Sequence, residues 1–297
     1  MDEITVFSQL LRAELDLWGR KGITARFWWR DDDATDGSDQ LESLAALAAS
    51  NDLTVGLAVI PGRMQVGLPK ALEKHEHLVP LCHGYVHKNH SRSGPMAEFG
   101  PDRPLGDLIS DAKAALREFR TKLGDRGLPV FAVPFNRIAQ RFEAELPAIG
   151  FTGMSAGPMR WERSLAIIFG ALRKGPSLRN RPAINSRRFR VDAHLSPIEW
   201  IPRRAPTNPY VLARRTIGLL AVRRLNYVDR TLPIGIVTHH LDHSPEIWHL
   251  TRKLIEVLKQ HPAAHFLSPR EIFPDYSESR RVAESSKRTC LDASIIG

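Results

Sequence analysis

The chain has 297 residues, of which 42% are hydrophobic and 25% are charged, the composition of an ordinary globular protein. This length can bury a substantial core in one large α/β domain or two smaller ones. No apolar run approaches the length of a bilayer span, and the first residues do not form a signal peptide, so we expect a cytoplasmic location. Two widely separated cysteines, Cys82 and Cys290, exclude a disulfide framework and agree with a reducing compartment.

The net charge of +9 is concentrated in one part of the chain. Such a region attracts phosphate, an anionic membrane surface or nucleic acid. We do not expect nucleic acid as a partner, because no recognisable reader module accompanies the charge. Peripheral contact with an anionic membrane stays open, and the sequence does not predict an oligomeric state. The basic residues are Arg173, Lys174, Arg179, Arg181, Arg187, Arg188 and Arg190, followed by the pairs Arg203-Arg204, Arg214-Arg215 and Arg223-Arg224.

Apolar residues alternate between helix and strand spacing along most of the chain. The alternation predicts a parallel sheet with helical crossovers, in one domain of residues 1–275 followed by a mobile tail at 276–297. We predict helices at 4–20, 38–48, 69–76, 106–124, 138–149, 209–227 and 245–260, with a short one from Ser268. We predict strands at 24–30, 53–60, 77–82, 128–133, 151–154, 191–200, 234–238 and 264–267, and a long loop at 84–104.

The first predicted strand ends on three consecutive carboxylates. Phe27, Trp28 and Trp29 favour a buried strand, which Asp31-Asp32-Asp33 follows almost directly. Adjacent carboxylates repel one another, so this position is costly unless a cation or hydrogen-bond donors offset the charge. A functional site and a solvated turn before the next helix both fit this run.

Other predicted strands also end on polar or kinked residues. Ligands gather at the carboxyl ends of the strands in parallel α/β folds, so these ends should lie together. His83 and His87 are four residues apart, a spacing that can bring two imidazoles to one metal ion. With one carboxylate of the triple Asp they would leave a position for water, as catalytic zinc requires. The remaining strand ends are Pro134-Phe135-Asn136 and His239-His240.

In this order, Asp-Asp, His-Gly-Tyr-Val-His, Pro-Phe and Ile-Val-Thr-His-His resemble the motifs of the polysaccharide deacetylase (NodB-homology) family, over residues 24–270. The resemblance implies an α/β fold, a distorted (β/α)7-8 barrel similar to a TIM barrel. It implies one divalent metal ion, with Zn2+ expected, bound by Asp-His-His. It also implies hydrolysis of the N-acetyl amide of an amino sugar, with a second Asp as base and a His near the C-terminus as acid.

Carried over by position, the metal histidines are His83 and His87. The triple Asp allows two registers. A small residue follows the family's pair, which favours Asp32 as base and Asp33 as ligand, with Asp31 and Asp32 as the alternative. The acid is expected to be His239, with His240 as the alternative.

Other residues are expected to bind substrate or to orient the base and the acid. The family's arginine that orients the base has no equivalent before Pro134, so Arg30 or Arg137 would have to substitute. Trp28, Trp29 and Trp200 either line a sugar subsite or belong to the core. Asp192 and His194 lie where the family has a carboxylate that tunes the acid. The predicted substrate contacts are Arg30, Asp31, Pro134, Phe135, Asn136 and His240.

The sequence therefore predicts a metal-dependent carbohydrate deacetylase, a hydrolase of non-peptide C–N bonds that acts on an N-acetylated sugar or glycoconjugate. The basic region suggests an anionic substrate, with Arg187 and Arg188 as contacts. One alternative is a deacylase of a small non-sugar amide on the same fold. The other is a catalytically silent basic module that binds nucleic acid or an anionic surface.

Overall fold

The structure is a computed structural model that describes residues 2–158, Ser164, 189–201 and 204–273. The predicted tail, Cys290 and the basic residues from Arg173 to Arg188 lie outside the described residues. The helices are α1 Glu3–Gly19, α2 Asp39–Ser50, α3 Gly67–Glu73, α4 Leu105–Leu123, α5 Gln140–Glu143, α6 Leu146–Ile149, α7 Pro209–Arg224, α8 Pro245–Lys259 and α9 Pro269–Ile272. The strands are β1 Ala25–Ala34, β2 Val55–Val59, β3 Leu78–His83, β4 Leu128–Ala132, β5 Gly153–Ser155, β6 Ala193–Leu195, β7 Ile198–Glu199, β8 Ala205–Pro206, β9 Ile234–Thr238 and β10 Ala264–Phe266.

The main sheet curls into a distorted barrel of parallel strands, as predicted. Its order is β5-β4-β3-β2-β1-β9-β6. The segment before β6 returns to β5, where the Val191 N–H donates to the Met154 carbonyl at 2.9 Å and the Ala193 N–H donates to Ala156 at 2.8 Å. One edge of β1 is shared, because β10 pairs with its first residues and β2 with its later ones. The other edge of β1 pairs with β9, so β1 has strand neighbours on both sides.

Side chains of β1 alternate between two buried layers, because strand residues point to opposite faces in turn. Trp28 packs inside the barrel against Leu81, Val130 and Phe273. Trp29 packs on the outer side, in the layer that includes residues of the helices. Both tryptophans are fully buried, so they belong to the core and do not line a sugar subsite.

Most predicted elements differ from the observed ones by a few end residues, and three differ in whether they continue or break. Strand β1 continues through the triple Asp to Ala34 instead of ending before it. The helix predicted at 138–149 is two short helices, and Pro147, which lacks an N–H, lies in the first turn of the second. The strand predicted at 191–200 is interrupted at Pro197, which cannot donate to a strand ladder.

Capping residues fix the helices around the barrel. Ser38 accepts a hydrogen bond from the Leu41 N–H at the start of α2, and Ser268 and Glu271 form a capping box at α9. In the part of the chain that the structure describes, no helix combines the length and apolar character of a membrane span.

Candidate metal centre and active site

An irregularity at the end of β1 gives the three carboxylates separate surroundings. A regular strand would point Asp31 and Asp33 to one face and Asp32 to the other. The pairing of β1 with β2 shifts register between Asp31 and Ala34, and Asp33 has a φ of 75°, in the left-handed region. Bulges of this kind re-aim a side chain. Asp33 consequently contacts His83 at the end of β3 and His87 in the loop after it, whereas Asp31 stays in the buried outer layer.

Asp33, His83 and His87 form a candidate metal centre. Asp33 Oδ1 lies 3.2 Å from His83 Nε2 and 3.3 Å from His87 Nε2. Their candidate ligand atoms all lie within 4.8 Å of one another. His83 Nδ1 donates to the Ala132 carbonyl at 3.0 Å, which leaves Nε2 free to bind a metal. Two imidazoles and one carboxylate fit a divalent ion such as zinc and leave a coordination position open.

The charges in this cluster favour the ligand forms of two of its members. Burial opposes ionisation of Asp33, but the hydrogen bond from His83 and the neighbouring imidazoles hold the pKa of Asp33 well below its usual range. Burial and the positive charge of His83 lower the pKa of His87 to about 4. Near neutral pH the carboxylate is therefore ionised and His87 is neutral, as metal binding requires.

The loop between His83 and His87 is held by a carboxylate from farther along the chain. Glu98 is fully buried, and its two oxygens accept the N–H groups of Tyr85 at 3.3 Å and Val86 at 2.8 Å. The loop turns at Gly84, where φ is 56° and a Cβ would lie 2.3 Å from Glu98 Oε2. The predicted long loop at 84–104 thus folds back and fixes the backbone that carries His87.

Asp32 is oriented by Arg30, the neighbour on the same face of β1. Arg30 Nε lies 2.8 Å from Asp32 Oδ1, and Nη2 donates to Asp32 Oδ2 at 2.8 Å. The guanidinium also donates to Asn136 Oδ1 and Ser155 Oγ. Arg30 is fully buried, which corrects the expectation that it contacts substrate. Its guanidinium instead holds the Asp32 carboxylate in place.

His239 approaches the same oxygen of Asp32, Oδ2, that accepts a hydrogen bond from Arg30 Nη2. Its Nε2 is 3.9 Å from Asp32 Oδ2. The ring of Trp200 packs edge-on against the imidazole at 4.7 Å between centroids, and Trp200 is 40% exposed. His239 Nδ1 is buried and has no hydrogen-bond partner among the described residues. Trp200 is thus the one of the three predicted subsite tryptophans that is placed to touch a ligand.

Asp31 and His240 pair with each other below this site. Both side chains are fully buried. Asp31 accepts hydrogen bonds from the Thr238 hydroxyl, the His240 N–H and His240 Nδ1. This arrangement does not support the expectation that Asp31 and His240 contact substrate, because both side chains are fully buried and Asp31 pairs with His240 Nδ1. Asp31 instead fixes both residues that flank His239.

The kinked turn after β4 lies against the metal centre. Phe135 and Asn136 have φ values of 56° and 54°. The Phe135 ring packs on the His87 ring, with centroids 4.2 Å apart. Asn136 Oδ1 accepts a hydrogen bond from Arg30. Pro134 is buried. Phe135 is therefore the residue of this predicted motif that is best placed to meet a ligand.

Asp192 and His194, expected where the family has a carboxylate that tunes the acid, lie just before β6 and within it. Asp192 pairs with Arg190 at 2.9 Å and accepts the Ala156 N–H, and His194 accepts the Gly235 N–H at 3.0 Å. These contacts fasten the barrel wall. Cys82, next to His83 in β3, is buried in the core.

A cleft of about 400 Å³ opens beside the metal centre. Sequence reasoning missed most of its residues, although several directly follow β1 and β2 and could have been found from the strand ends. The lining residues are Asp33, Thr35, Ile60, Arg63, Gln65, His87 and Leu241.

Comparison with solved structures shows the same fold in a known protein. A CE4 esterase from Streptococcus mutans aligns with a TM-score of 0.53 and 12% identity, over 88% of this chain and 90% of its own. The chitin deacetylase of Colletotrichum lindemuthianum gives 0.48 and 13%, over 85% and 91% of the two chains. No protein-family model and no curated protein sequence matches the chain. The chain therefore shares the fold of the Streptococcus mutans CE4 esterase, in agreement with the resemblance to polysaccharide deacetylases that its motifs predicted.

Proposed function

We propose that this protein is a metal-dependent deacetylase that removes the N-acetyl group from an amino sugar or sugar conjugate. One observation carries the proposal: a carboxylate and two imidazoles converge at the end of the barrel beside a second carboxylate that reaches a third imidazole. Asp33, His83 and His87 supply the first group, and Asp32 and His239 supply the second.

A divalent ion, which we propose to be Zn2+, fits Asp33, His83 and His87 by donor type and by the orientation of His83 Nε2. Bound there, it would polarise an amide carbonyl and lower the pKa of water toward neutrality. An amide is a poor electrophile, so its hydrolysis needs this assistance. Phe135, packed on His87, would shield one side of the ion.

The proton transfers fall to Asp32 and His239. Asp32 accepts a proton from the attacking water, and Arg30 holds the carboxylate in place while it does so. His239 donates a proton to the nitrogen as the C–N bond breaks. Water and the acetamido group thus give acetate and a free amine, which is protonated near neutral pH. The separation of 3.9 Å between Asp32 Oδ2 and His239 Nε2 lets both groups reach one reacting amide.

Acetate release from N-acetylglucosamine and its oligomers, with zinc-loaded protein, tests the proposal. Asp32→Asn and His239→Gln should each lower kcat by about 100-fold or more, the usual contribution of a general acid or base. His265→Gln, on an exposed histidine of β10, is the matched control and should keep full activity. Activity on a small non-sugar amide alone would replace the sugar substrate, and equal activity in all three variants would remove the assigned roles.

A further inference from the structure

The cleft beside the metal centre contains a cation that is not engaged by the protein. Arg63 lines the cleft together with Asp33 and His87. Its side chain is exposed, and its guanidinium has no hydrogen bond or ion pair with any residue in the described ranges. An arginine beside a reaction centre without a protein partner is available to a ligand.

The backbone that carries Arg63 is held from two sides. Lys122 Nζ donates to the carbonyls of Pro61 and Met64, both at 3.2 Å. The Gly62 N–H donates to the Tyr85 carbonyl at 2.9 Å, and a Cβ at position 62 would lie 2.8 Å from a Val86 methyl group. The turn therefore packs directly on the loop that carries His87. A side chain presented from such a fixed base loses less freedom on binding than one on a mobile loop.

The cleft carries a net positive charge when its carboxylate binds a divalent ion. Asp33 is the one acidic side chain among the lining residues, and it is engaged by His83 and His87. With a divalent ion at these ligands, the ion and the single carboxylate leave a charge of about +1, to which Arg63 adds another. Lys88 and Arg137, exposed neighbours of site residues, have the same sign. Such a cleft concentrates anions.

From these contacts we infer that Arg63 binds an anionic group of the substrate, a phosphate or a carboxylate, next to the N-acetyl group that is hydrolysed. A guanidinium matches both groups through paired N–H donors. The substrate class is then an N-acetylated sugar that carries a phosphate or a carboxylate. The nature of the substrate rests on the proposed function, whereas the anion contact at Arg63 can be tested by binding alone.

Isothermal titration calorimetry of the zinc-loaded protein tests the anion contact at Arg63 separately from the proposed deacetylase activity. The probes are N-acetylglucosamine 1-phosphate, N-acetylmuramic acid and the neutral methyl N-acetylglucosaminide, and they distinguish phosphate from carboxylate recognition. We expect at least one anionic sugar to bind about tenfold or more tighter than the neutral one, as for charge-assisted hydrogen bonds. Arg63→Gln should reduce this preference to about twofold or less. Arg20→Gln, an exposed arginine just after α1, should preserve it.

Equal affinity for the charged and neutral sugars in the wild type, or a preference that survives in Arg63→Gln, would overturn the inference. Failure to bind either anionic sugar would overturn it as well. Acetate release from the neutral glycoside without any anion preference would leave the proposed function standing and remove only the anion site. A preference lost in Arg63→Gln, in a protein that releases no acetate, would support the anion site and contradict the deacetylase.

Discussion

The buried carboxylate of Glu98 should control metal affinity without touching the metal. It accepts the N–H groups of Tyr85 and Val86 with separate oxygens, and so fixes the loop between His83 and His87. In Glu98→Gln one oxygen becomes an NH2 group, which cannot accept. One of the two backbone N–H groups must then lose its partner, or the loop must move away.

The expected loss of zinc affinity follows from the number of hydrogen bonds that Glu98→Gln removes. One buried N–H without a partner costs about 1–3 kcal/mol. Because 1.4 kcal/mol corresponds to a factor of ten, the loop's metal-binding geometry should become about 5- to 150-fold less favourable. We therefore expect the zinc Kd of Glu98→Gln to rise by about 10- to 100-fold, the usual effect of groups that orient metal ligands.

Zinc Kd values from chelator competition would measure this effect, with thermal unfolding of the metal-free proteins to verify that each variant is folded. The matched control is Glu118→Gln. Glu118 accepts from the Tyr85 hydroxyl at 2.9 Å, where a glutamine oxygen can still accept, and its other contact is a half-exposed ion pair with Lys122 at 3.7 Å. Excess zinc should restore the kcat of Glu98→Gln, since none of the reacting groups is removed. A Kd for Glu98→Gln within about twofold of the wild type, in a folded protein, would refute the reasoning.

Three other perturbations have defined outcomes. Asp31→Asn should lower kcat by about 10-fold or more while zinc affinity stays unchanged, because Asp31 fixes the residues on both sides of His239; a normal kcat would contradict this. Arg224→Gln leaves Glu14 buried without its partner and should cost about 2 kcal/mol in urea unfolding near pH 7. Burial already raises the pKa of Glu14 despite Arg224, so the folded state takes up a proton before the unfolded state as the pH falls. The cost should therefore shrink as the pH is lowered from 7, and a cost that grew would contradict the assignment. Removal of zinc should lower the free energy of unfolding by about 2.7 kcal/mol relative to protein at free zinc of about 100 times Kd, and an unchanged stability would argue against a site in the folded barrel.

The regular alternation of elements predicted a parallel sheet with helical crossovers, and the resemblance to polysaccharide deacetylase motifs implied its closure into a distorted barrel. All five residues of β2 are buried, and so are all six of β3. Such continuous apolar runs are typical of parallel strands covered by other elements. The predictions were weakest where proline interrupts an element, as at Pro147 and Pro197, because hydrophobic spacing alone does not show which backbone bonds are lost.

Local spacing could not distinguish the three aspartates of β1. Their surroundings depend on the bulge between Asp31 and Ala34 and on partners from distant strands, such as Thr238. The same limit explains the wrong expectations for Arg30 and His240, which are polar residues at strand ends whose partners bury them. Arg63 was not assigned a role because its position depends on how two loops fold against each other.

Metal content tests the central claim most directly. Elemental analysis of the purified protein, beside His83→Ala, His87→Ala and the control His265→Gln, should show about one zinc or similar divalent ion per chain in the wild type and the control. Both ligand variants should lose it and release no acetate from N-acetylated sugars. A wild type that binds no metal after reconstitution with zinc, or ligand variants that keep a full equivalent, would contradict the account.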